Sequence, residues 1–147
     1  MKYPRFLKEN DTIGITALSS GAGRKILEVK TSLNHLKKHF KIIATPNVWG
    51  GDIVSSSIEN RIEEFNILLD EDINALINLR GGEFGLEVLP KLDLEKVSKK
   101  KILVEGFSDG TILTYPLTTK YDLATLYGMN AKSYNSETLT KYQLDNL

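Results

Sequence analysis

A serine between two glycines, in Gly106-Phe107-Ser108-Asp109-Gly110, is the part of this sequence best suited to chemistry. It follows a short apolar stretch, 102–105, and precedes a helix-forming segment. A serine on a sharp strand-to-helix turn needs flanking glycines, because a Cβ there would collide with neighbouring backbone. Such a turn exposes the hydroxyl and directs helix amides at the space where the oxyanion of a tetrahedral intermediate forms. The pattern predicts a nucleophile elbow, against the alternative of an ordinary turn with a capping serine.

A glycine pair follows the preceding apolar stretch, where 73–79 runs into Arg80-Gly81-Gly82. Glycines at the carboxyl end of a strand let the backbone approach a ligand closely and present an unpaired amide. Open parallel sheets bind ligands beyond those carboxyl ends. We therefore expect Gly81 to contact substrate and the Arg80 guanidinium to bind a substrate carboxylate. For the glycine pair alone, an ordinary loop is the alternative.

Alternating strand and helix patterns predict the elements that position these residues. The alternation favours right-handed crossovers and a mainly parallel sheet with helices on both faces, as in flavodoxin-like and class I glutamine amidotransferase-like α/β folds. Apolar residues three and four apart predict helices over 24–40 and after a capping box of Ser56 and Glu59. The predicted strands are 12–18, 41–45, 73–79, 102–105 and 123–127, and short helical turns are predicted at 86–89 and 94–99.

Composition indicates one compact domain over residues 1–130 and a linker or tail over 131–147, which lacks an apolar period. The 147 residues hold 19 basic and 19 acidic side chains, so charge gives no case for nucleic acid or anionic membrane as partner. The absence of cysteine excludes disulfides, thiolate metal sites and cysteine nucleophiles. No apolar run approaches spanning length, and a cytoplasmic location is the expectation.

Other polar groups are interpreted without a catalytic role. His35 and His39 have a spacing that can hold a metal, but no accompanying glutamate completes a metallopeptidase pattern, so solvated helix positions are favoured. The acidic run 70–72 is interpreted as a polar loop. Nothing in the spacing of Glu137 supports a role as triad acid. No metal and no cofactor are expected.

The order of motifs along nearly the whole chain resembles the serine peptidase family that includes LD-carboxypeptidases and the microcin C self-immunity peptidases. Three positions differ from the usual pattern of that family, at Leu18, at Glu83-Phe84-Gly85 and at Pro116, which would remove a helical hydrogen bond. The motifs that carry the resemblance are Tyr3-Pro4-Arg5-Phe6-Leu7-Lys8, Asp11-Thr12-Ile13-Gly14-Ile15, Ser19-Ser20-Gly21, Arg80-Gly81-Gly82, Leu89-Pro90-Lys91-Leu92-Asp93, Gly106-Phe107-Ser108-Asp109, Leu117-Thr118-Thr119-Lys120 and Leu126-Tyr127-Gly128.

The resemblance implies a role for each matching residue. Ser108 falls on the nucleophile, the amide of Asp109 on one oxyanion-hole donor, and Gly82 on the region that supplies the second. The family's glutamate and histidine lie in a second domain downstream, so we expect a C-terminal domain or separate chain to supply them and the chain alone to be nearly inactive. Homodimers are frequent in the family. The implied substrate is a small peptide or peptide-nucleotide, either a murein tetrapeptide that loses its terminal D-alanine or a microcin-type aminoacyl nucleotide.

Two other classes of function stay open. One is a non-catalytic remnant, or half of a split enzyme, that acts as a ligand-binding module. The other is a flavodoxin-like signalling or nucleotide-binding domain, for which the loops lack a phosphate-binding glycine pattern and an acidic receiver pocket.

Overall fold

The computed structural model of the protein describes residues 1–135 and 139–144, with the backbone alone at 143 and 144. A single five-stranded sheet forms its centre, and every strand pair in it is parallel. The strand order is β2-β1-β3-β4-β5. The predicted parallel α/β fold is therefore confirmed. The strands are β1 Thr12–Thr16, β2 Lys41–Ala44, β3 Ala75–Asn78, β4 Leu103–Gly106 and β5 Leu126–Tyr127.

Helices connect the strands, as the sequence alternation predicts. The first is shorter than the predicted 24–40, because a 3₁₀ turn, Gly23–Lys25, precedes it and the chain turns after Leu36 to enter β2. In that turn the amides of His39 and Phe40 both donate to the carbonyl of Leu36. The helices are α1 Ile26–Leu36, α2 Ile58–Leu68, α3 Leu94–Lys100, α4 Thr111–Thr119 and α5 Lys141–Leu144.

Two local predictions need correction or refinement. The residue that caps α2 is Ser57, whose side chain accepts from the amide of Asn60, so the capping box predicted at Ser56 and Glu59 is wrong by one position. Pro116 lies inside α4 without ending it, because that helix continues to Thr119. The short helical turn predicted at 86–89 is present as a 3₁₀ helix, Gly85–Glu87, followed by a second, Leu89–Lys91.

The sheet separates two apolar layers. Alternate residues of β1 point to opposite faces: Ile13 and Ile15 pack in the layer with α1, whereas Gly14 faces Leu68 of α2. Helices α2, α3 and α4 cover that second face, so both faces are covered. The buried residues of the α1 layer are Ile13, Ile15, Ala17, Ala22, Val29, Leu33, Leu36, Val48, Ala75, Ile77, Leu79 and Ala131.

The stretch after Asn130 begins as part of this domain. Ala131 is fully buried, and the amide of Lys132 donates to the carbonyl of Leu79 at 2.9 Å. Residues 131–135 are thus packed on the domain, which corrects the expectation of an exposed linker for these five positions. The domain boundary at residue 130 stays a prediction, and Glu137 and residues 145–147 lie outside the described residues.

The described residues contain neither a helix that could span a membrane nor a cluster of side chains that could hold a metal ion. None of their helices has both the length and the apolar character needed to cross a bilayer. No three histidine, aspartate or glutamate side chains among them come together in a way that could hold a metal ion.

Candidate active site at the carboxyl edge of the sheet

Strand order decides where a site can form. Strand β2 lies on one side of β1, and strands β3 to β5 follow on the other side, so the order in which strands are added to the sheet reverses at β1. Such a reversal opens a crevice between the loops at the carboxyl ends of β1 and β3. The loops that follow β1, β3 and β4 all emerge at this edge, because all three strands are parallel. They carry Ser19, the glycine pair Gly81-Gly82, and Ser108, so the topology brings the predicted residues together.

The turn after β4 has the geometry of a nucleophile elbow. Ser108 has a φ of 57°, in the left-handed region that disfavours residues with a Cβ. Its side chain is exposed, and its hydroxyl makes no hydrogen bond to any residue that the structure describes. A methyl group on Gly106 would lie 3.0 Å from the carbonyl oxygen of Gly110. The steric reason predicted for a glycine at that flanking position is therefore confirmed.

Several hydrogen bonds hold Ser108 in this conformation. The amide of Gly110 donates to the carbonyl of Phe107 at 3.0 Å, and the hydroxyl of Thr111 donates to the carbonyl of Ser108. The buried side chain of Asn130 accepts from the amide of Phe107 and donates to its carbonyl, both at 3.0 Å. Strain at a single residue persists when surrounding structure fixes it in this way.

The loop after β3, residues 79–85, is called the glycine loop and lies directly against the elbow. A methyl group on Gly81 would stand 2.9 Å from Oγ of Ser108 and 3.6 Å from the amide nitrogen of Asp109. The Asp109 carboxylate accepts from the amide of Gly85 at 2.9 Å, which ties the two loops together. Gly82 has a φ of 154°, and a methyl group there would lie 2.2 Å from Oγ of Ser19. Glycine at position 81 thus allows the loop to approach Ser108 closely, and glycine at position 82 allows the positive φ.

Two backbone amides at this edge remain available to a ligand. Within the described part of the chain, neither the amide of Gly82 nor that of Asp109 donates a hydrogen bond. Both belong to loops that meet at the exposed hydroxyl of Ser108. Amides that converge beside an exposed serine can bind the negative oxygen that forms when a hydroxyl attacks a carbonyl.

Arg80 is already engaged by the protein. Its Nη1 donates to Oδ1 of Asp52 at 2.8 Å and to the carbonyl of Gly21 at 3.2 Å. Arg24 donates to the other carboxylate oxygen of Asp52 at 2.8 Å. Hydrogen bonds from Arg80 and Arg24 lower the pKa of Asp52, which stays ionised near neutral pH. In this arrangement Arg80 joins the loops after β1, β2 and β3, and its binding of a substrate carboxylate stays a prediction.

An apolar cleft of about 440 Å³ lies beside Ser108. Ser108 and Asp109 line it, together with side chains of α4 and of the 3₁₀ helices Gly85–Glu87 and Leu89–Lys91. The cleft presents an apolar surface next to the hydroxyl of Ser108. The other lining residues are Leu86, Leu89, Thr111, Ile112, Tyr115 and Pro116.

Both histidines of the sequence lie at the opposite edge of the sheet. His39 comes just before β2, and its carbonyl accepts from the amide of Asn10, which precedes β1. His35 lines a groove with His39, Leu7 and other residues of the N-terminal segment. Burial lowers the pKa of His35, with nearby Lys38 and His39 adding to the effect. Strands of four or five residues separate the two edges by about 15 Å, so neither imidazole reaches Ser108.

Sequence reasoning missed several residues that shape this site. Asn78 is buried at the end of β3, where Oδ1 accepts from the amide of Leu18 and Nδ2 donates to the carbonyl of Arg80. A polar residue at the end of an apolar strand was the available signal. Asn130 follows no pattern that predicts its contact with Phe107, since the two are 23 positions apart.

The sequence matches the model of a known family. Residues 13–128 match the LD-carboxypeptidase N-terminal domain. The protein YocD of Bacillus subtilis is 28% identical over 137 residues, which cover 90% of this chain and 42% of YocD. The microcin self-immunity protein MccF of Escherichia coli is 31% identical over 94 residues, which cover 63% of this chain and 27% of MccF.

Solved structures share the fold. A variant of MccF in complex with adenosine monophosphate superposes with a TM-score of 0.80 at 27% identity, over 87% of this chain and 39% of that one. A muramoyltetrapeptide carboxypeptidase from Oxalobacter formigenes superposes with a TM-score of 0.76 over 91% of this chain and 45% of that one. At 21% identity, the second likeness shows the fold alone. The chain thus spans less than half the length of these relatives.

Proposed function

Because the chain belongs to the LD-carboxypeptidase N-terminal domain family, we propose that it is the nucleophile-bearing domain of a serine peptidase. One observation carries the proposal: Ser108 is exposed in a left-handed turn, against the glycine loop. In this proposal Ser108 is the nucleophile, and the free amides of Asp109 and Gly82 bind the oxyanion. The bond that breaks is an amide near a free carboxylate of the substrate.

The reaction follows the chemistry of serine hydrolases. The hydroxyl oxygen of Ser108 attacks the amide carbonyl while a histidine accepts its proton, and a tetrahedral intermediate forms. The amides of Asp109 and Gly82 hold its negative oxygen, which is worth about 3 kcal/mol per donor in well-studied hydrolases. The histidine then protonates the leaving amine as the C–N bond breaks. Water hydrolyses the acyl group on Ser108 by the same steps and restores the hydroxyl.

The base of this reaction comes from outside the described domain. His35 and His39 are the two histidines of the sequence, and both lie at the edge of the sheet away from Ser108. In this proposal a further domain or a separate chain supplies the histidine and its glutamate. A serine hydroxyl without a base is a poor nucleophile near neutral pH, so the chain alone hydrolyses substrate very slowly.

Two substrate classes fit the proposal, and the relatives support one each. Membership of the LD-carboxypeptidase N-terminal domain family and similarity to YocD support a murein tetrapeptide that loses its terminal D-alanine. Similarity to MccF supports a microcin-type peptide-nucleotide. We place the reaction in the cytoplasm, since a sequence without cysteine suits a reducing compartment.

The proposal is tested by release of D-alanine from an LD-tetrapeptide. The chain is assayed alone and as a fusion to the C-terminal part of YocD, which the sequence match does not cover. We expect release by the fusion, none by its Ser108→Ala variant, and very little by the chain alone. A fusion whose activity survives Ser108→Ala contradicts the role of Ser108. Fast Ser108-dependent release by the chain alone contradicts an external base.

A second candidate is a ligand-binding module without turnover. The position of both histidines favours it, because the described residues can bind an amide substrate but hold no imidazole near Ser108. Titration of the isotope-labelled chain with a murein peptide separates the candidates. Binding that shifts the amides of Gly82 and Asp109, together with an inactive fusion, favours the module.

A further inference from the structure

Arg61 is a buried charge in a position where an apolar residue would be expected. It lies on the face of α2 that also carries Ile58 and Phe65, and only 1% of its surface is exposed. A guanidinium in such a place is strongly unfavourable unless every charge and donor finds a partner. The groups that hydrogen-bond to Arg61 therefore explain how a buried guanidinium is stable at this position.

The partners of Arg61 belong to the loops around the candidate active site. Nη1 donates to the carbonyl of Leu18, just after β1, and to the carbonyl of Phe84 in the glycine loop, both at 2.9 Å. Nη2 donates to the carboxylate of Glu87 at 2.7 Å, which balances the charge. Nε reaches the carbonyl of Ser57 at 3.4 Å, at the start of α2. One side chain thus joins the end of β1, the start of α2 and the glycine loop.

A second contact reinforces the same connection. The amide of Phe84 donates to Oγ of Ser19 at 3.0 Å, so the peptide group before Phe84 is bound to the chain that leaves β1, and the one after it is bound to Arg61 of α2. Gly82, two residues earlier, packs against the hydroxyls of Ser19 and Ser20, where a methyl group would lie 2.2 and 2.6 Å away. Gly82 follows Gly81, which lies against Ser108, so the position of its amide depends on how the loop is held at Phe84.

We propose that Arg61 is a positioning residue that acts through the Phe84 carbonyl to fix the amide of Gly82 relative to Ser108. The inference rests on the proposed function, in which that amide is the second oxyanion donor. Loss of one such donor lowers kcat about 100- to 1,000-fold in well-studied hydrolases. A displacement of about 1 Å has costs of similar size, near 100-fold.

Stability alone does not explain this side chain. Replacement of a buried ion pair by apolar residues of similar volume is often neutral or stabilising for a fold, and the Glu87 side chain is 42% exposed, so loss of Arg61 alone leaves no buried charge behind. Methionine at position 61 would keep the apolar contacts of α2 and lose the bonds to Leu18, Phe84 and Glu87. The two roles can therefore be distinguished. If Arg61 is merely structural, its replacement changes the free energy of unfolding; if it is a positioning residue, its replacement also changes the conformation of the glycine loop.

The test compares Arg61→Met and Arg61→Lys with Arg5→Met in the ¹⁵N-labelled 147-residue chain. Arg5 is the matched control, since it also pairs with a carboxylate, that of Asp11, but far from the glycine loop. In Arg61→Met we expect shifted amide signals for Gly82 and Phe84, and hydrogen exchange at the Phe84 amide that is at least about tenfold faster.

Lysine keeps the charge but cannot hydrogen-bond to both carbonyls and to Glu87, so intermediate shifts are expected in Arg61→Lys. Should methionine prevent folding, the lysine variant decides. Unchanged Gly82 and Phe84 signals in a folded Arg61 variant overturn the inference.

A boronic acid analogue of an acyl-D-alanine substrate adds a functional reading. It forms a tetrahedral adduct whose negative oxygen occupies the oxyanion site. We expect an adduct that requires Ser108, with affinity at least about tenfold weaker in Arg61→Met and unchanged in Arg5→Met. Equal affinity in wild type and Arg61→Met overturns the positioning role. If wild type and Ser108→Ala bind the analogue equally, the proposed peptidase function fails instead, so the two failures are distinct.

Discussion

Gly81 lies against the side chain of Ser108, so closely that a methyl group on Gly81 would stand 2.9 Å from Oγ and 3.0 Å from Cβ of the serine. The hydroxyl of Ser108 can rotate away from such a methyl group, because no described residue binds it. The glycine loop and the elbow are therefore complementary surfaces, and the orientation of the hydroxyl depends on the absence of a side chain at position 81.

Gly81→Ala is expected to affect reactivity more than stability. The extra methyl group should cost about 1–3 kcal/mol of unfolding free energy, as overpacking does, and misplace the hydroxyl enough to lower hydrolysis about 100-fold. Urea unfolding and D-alanine release by the fusion measure the two effects. Gly14→Ala is the matched control, because its methyl group would lie 3.0 Å from Ile73 in the core, away from the site. Equal losses of activity in both variants would contradict the prediction.

The carboxylate of Asp109 should hold the glycine loop in place at Gly85. In Asp109→Ala the Gly85 amide loses its acceptor, and we expect a loss of about 1–2 kcal/mol and faster hydrogen exchange at Gly85. Asp109→Asn keeps a side-chain oxygen and should behave more like the wild type. Equal rates of hydrogen exchange at the Gly85 amide in Asp109→Ala and the wild type would show that this hydrogen bond does not stabilise the loop.

Asn130 should be essential for the elbow although it is 22 positions from Ser108 in sequence. Asn130→Ala leaves the amide of Phe107 without a partner, at about 1–3 kcal/mol for a buried unsatisfied group, and takes one of two donors from the Phe107 carbonyl, which keeps the Gly110 amide. Thermal unfolding measures the loss. Asn34→Ala, at an exposed position of α1, is the control and should change stability little. A loss at Asn130 no larger than at Asn34 would refute the role assigned to this side chain.

Glu105 should make stability depend on pH. Burial raises the pKa of its carboxyl, against opposing hydrogen bonds from the Tyr134 hydroxyl and the Met129 amide. Burial and the neighbouring Glu105 also raise the pKa of Tyr134, so its hydroxyl stays protonated as the donor. A carboxyl with a raised pKa binds its proton more tightly in the folded state. Its contribution to unfolding free energy is complete below the ordinary value of 4.5 and is lost as pH rises through the raised value.

The measurement for Glu105 is urea unfolding of wild type and Glu105→Gln from pH 4 to pH 8. Glutamine keeps the side-chain shape and an acceptor for Tyr134 without the titrating group. The stability of the wild type relative to the variant should therefore fall as pH rises above 4.5. Parallel curves across this range would mean that Glu105 titrates alike in the folded and unfolded chain.

The sequence was sufficient for the fold and for the centre of the site. Strand and helix periods predict the parallel sheet, and Gly106 and Gly110 on either side of Ser108 predict the elbow, because both follow from local sterics. Residues that act across long separations were not predictable in this way. The bond between Asn130 and Phe107, and those of Arg61 to Leu18 and Phe84, depend on which loops the topology brings together. For Arg61 a signal existed in the charge on an apolar helix face.

The left-handed backbone conformation of Ser108 should lower the stability of the folded chain. Glycine would relax this conformation, and Ser108→Gly should raise the free energy of unfolding by about 1 kcal/mol, since left-handed residues with a Cβ carry a penalty of that size. Thermal unfolding beside Ser108→Ala, which keeps the Cβ, isolates the backbone effect. In the proposed peptidase, this loss of stability accompanies the exposure of the Ser108 hydroxyl, because the same left-handed turn produces both.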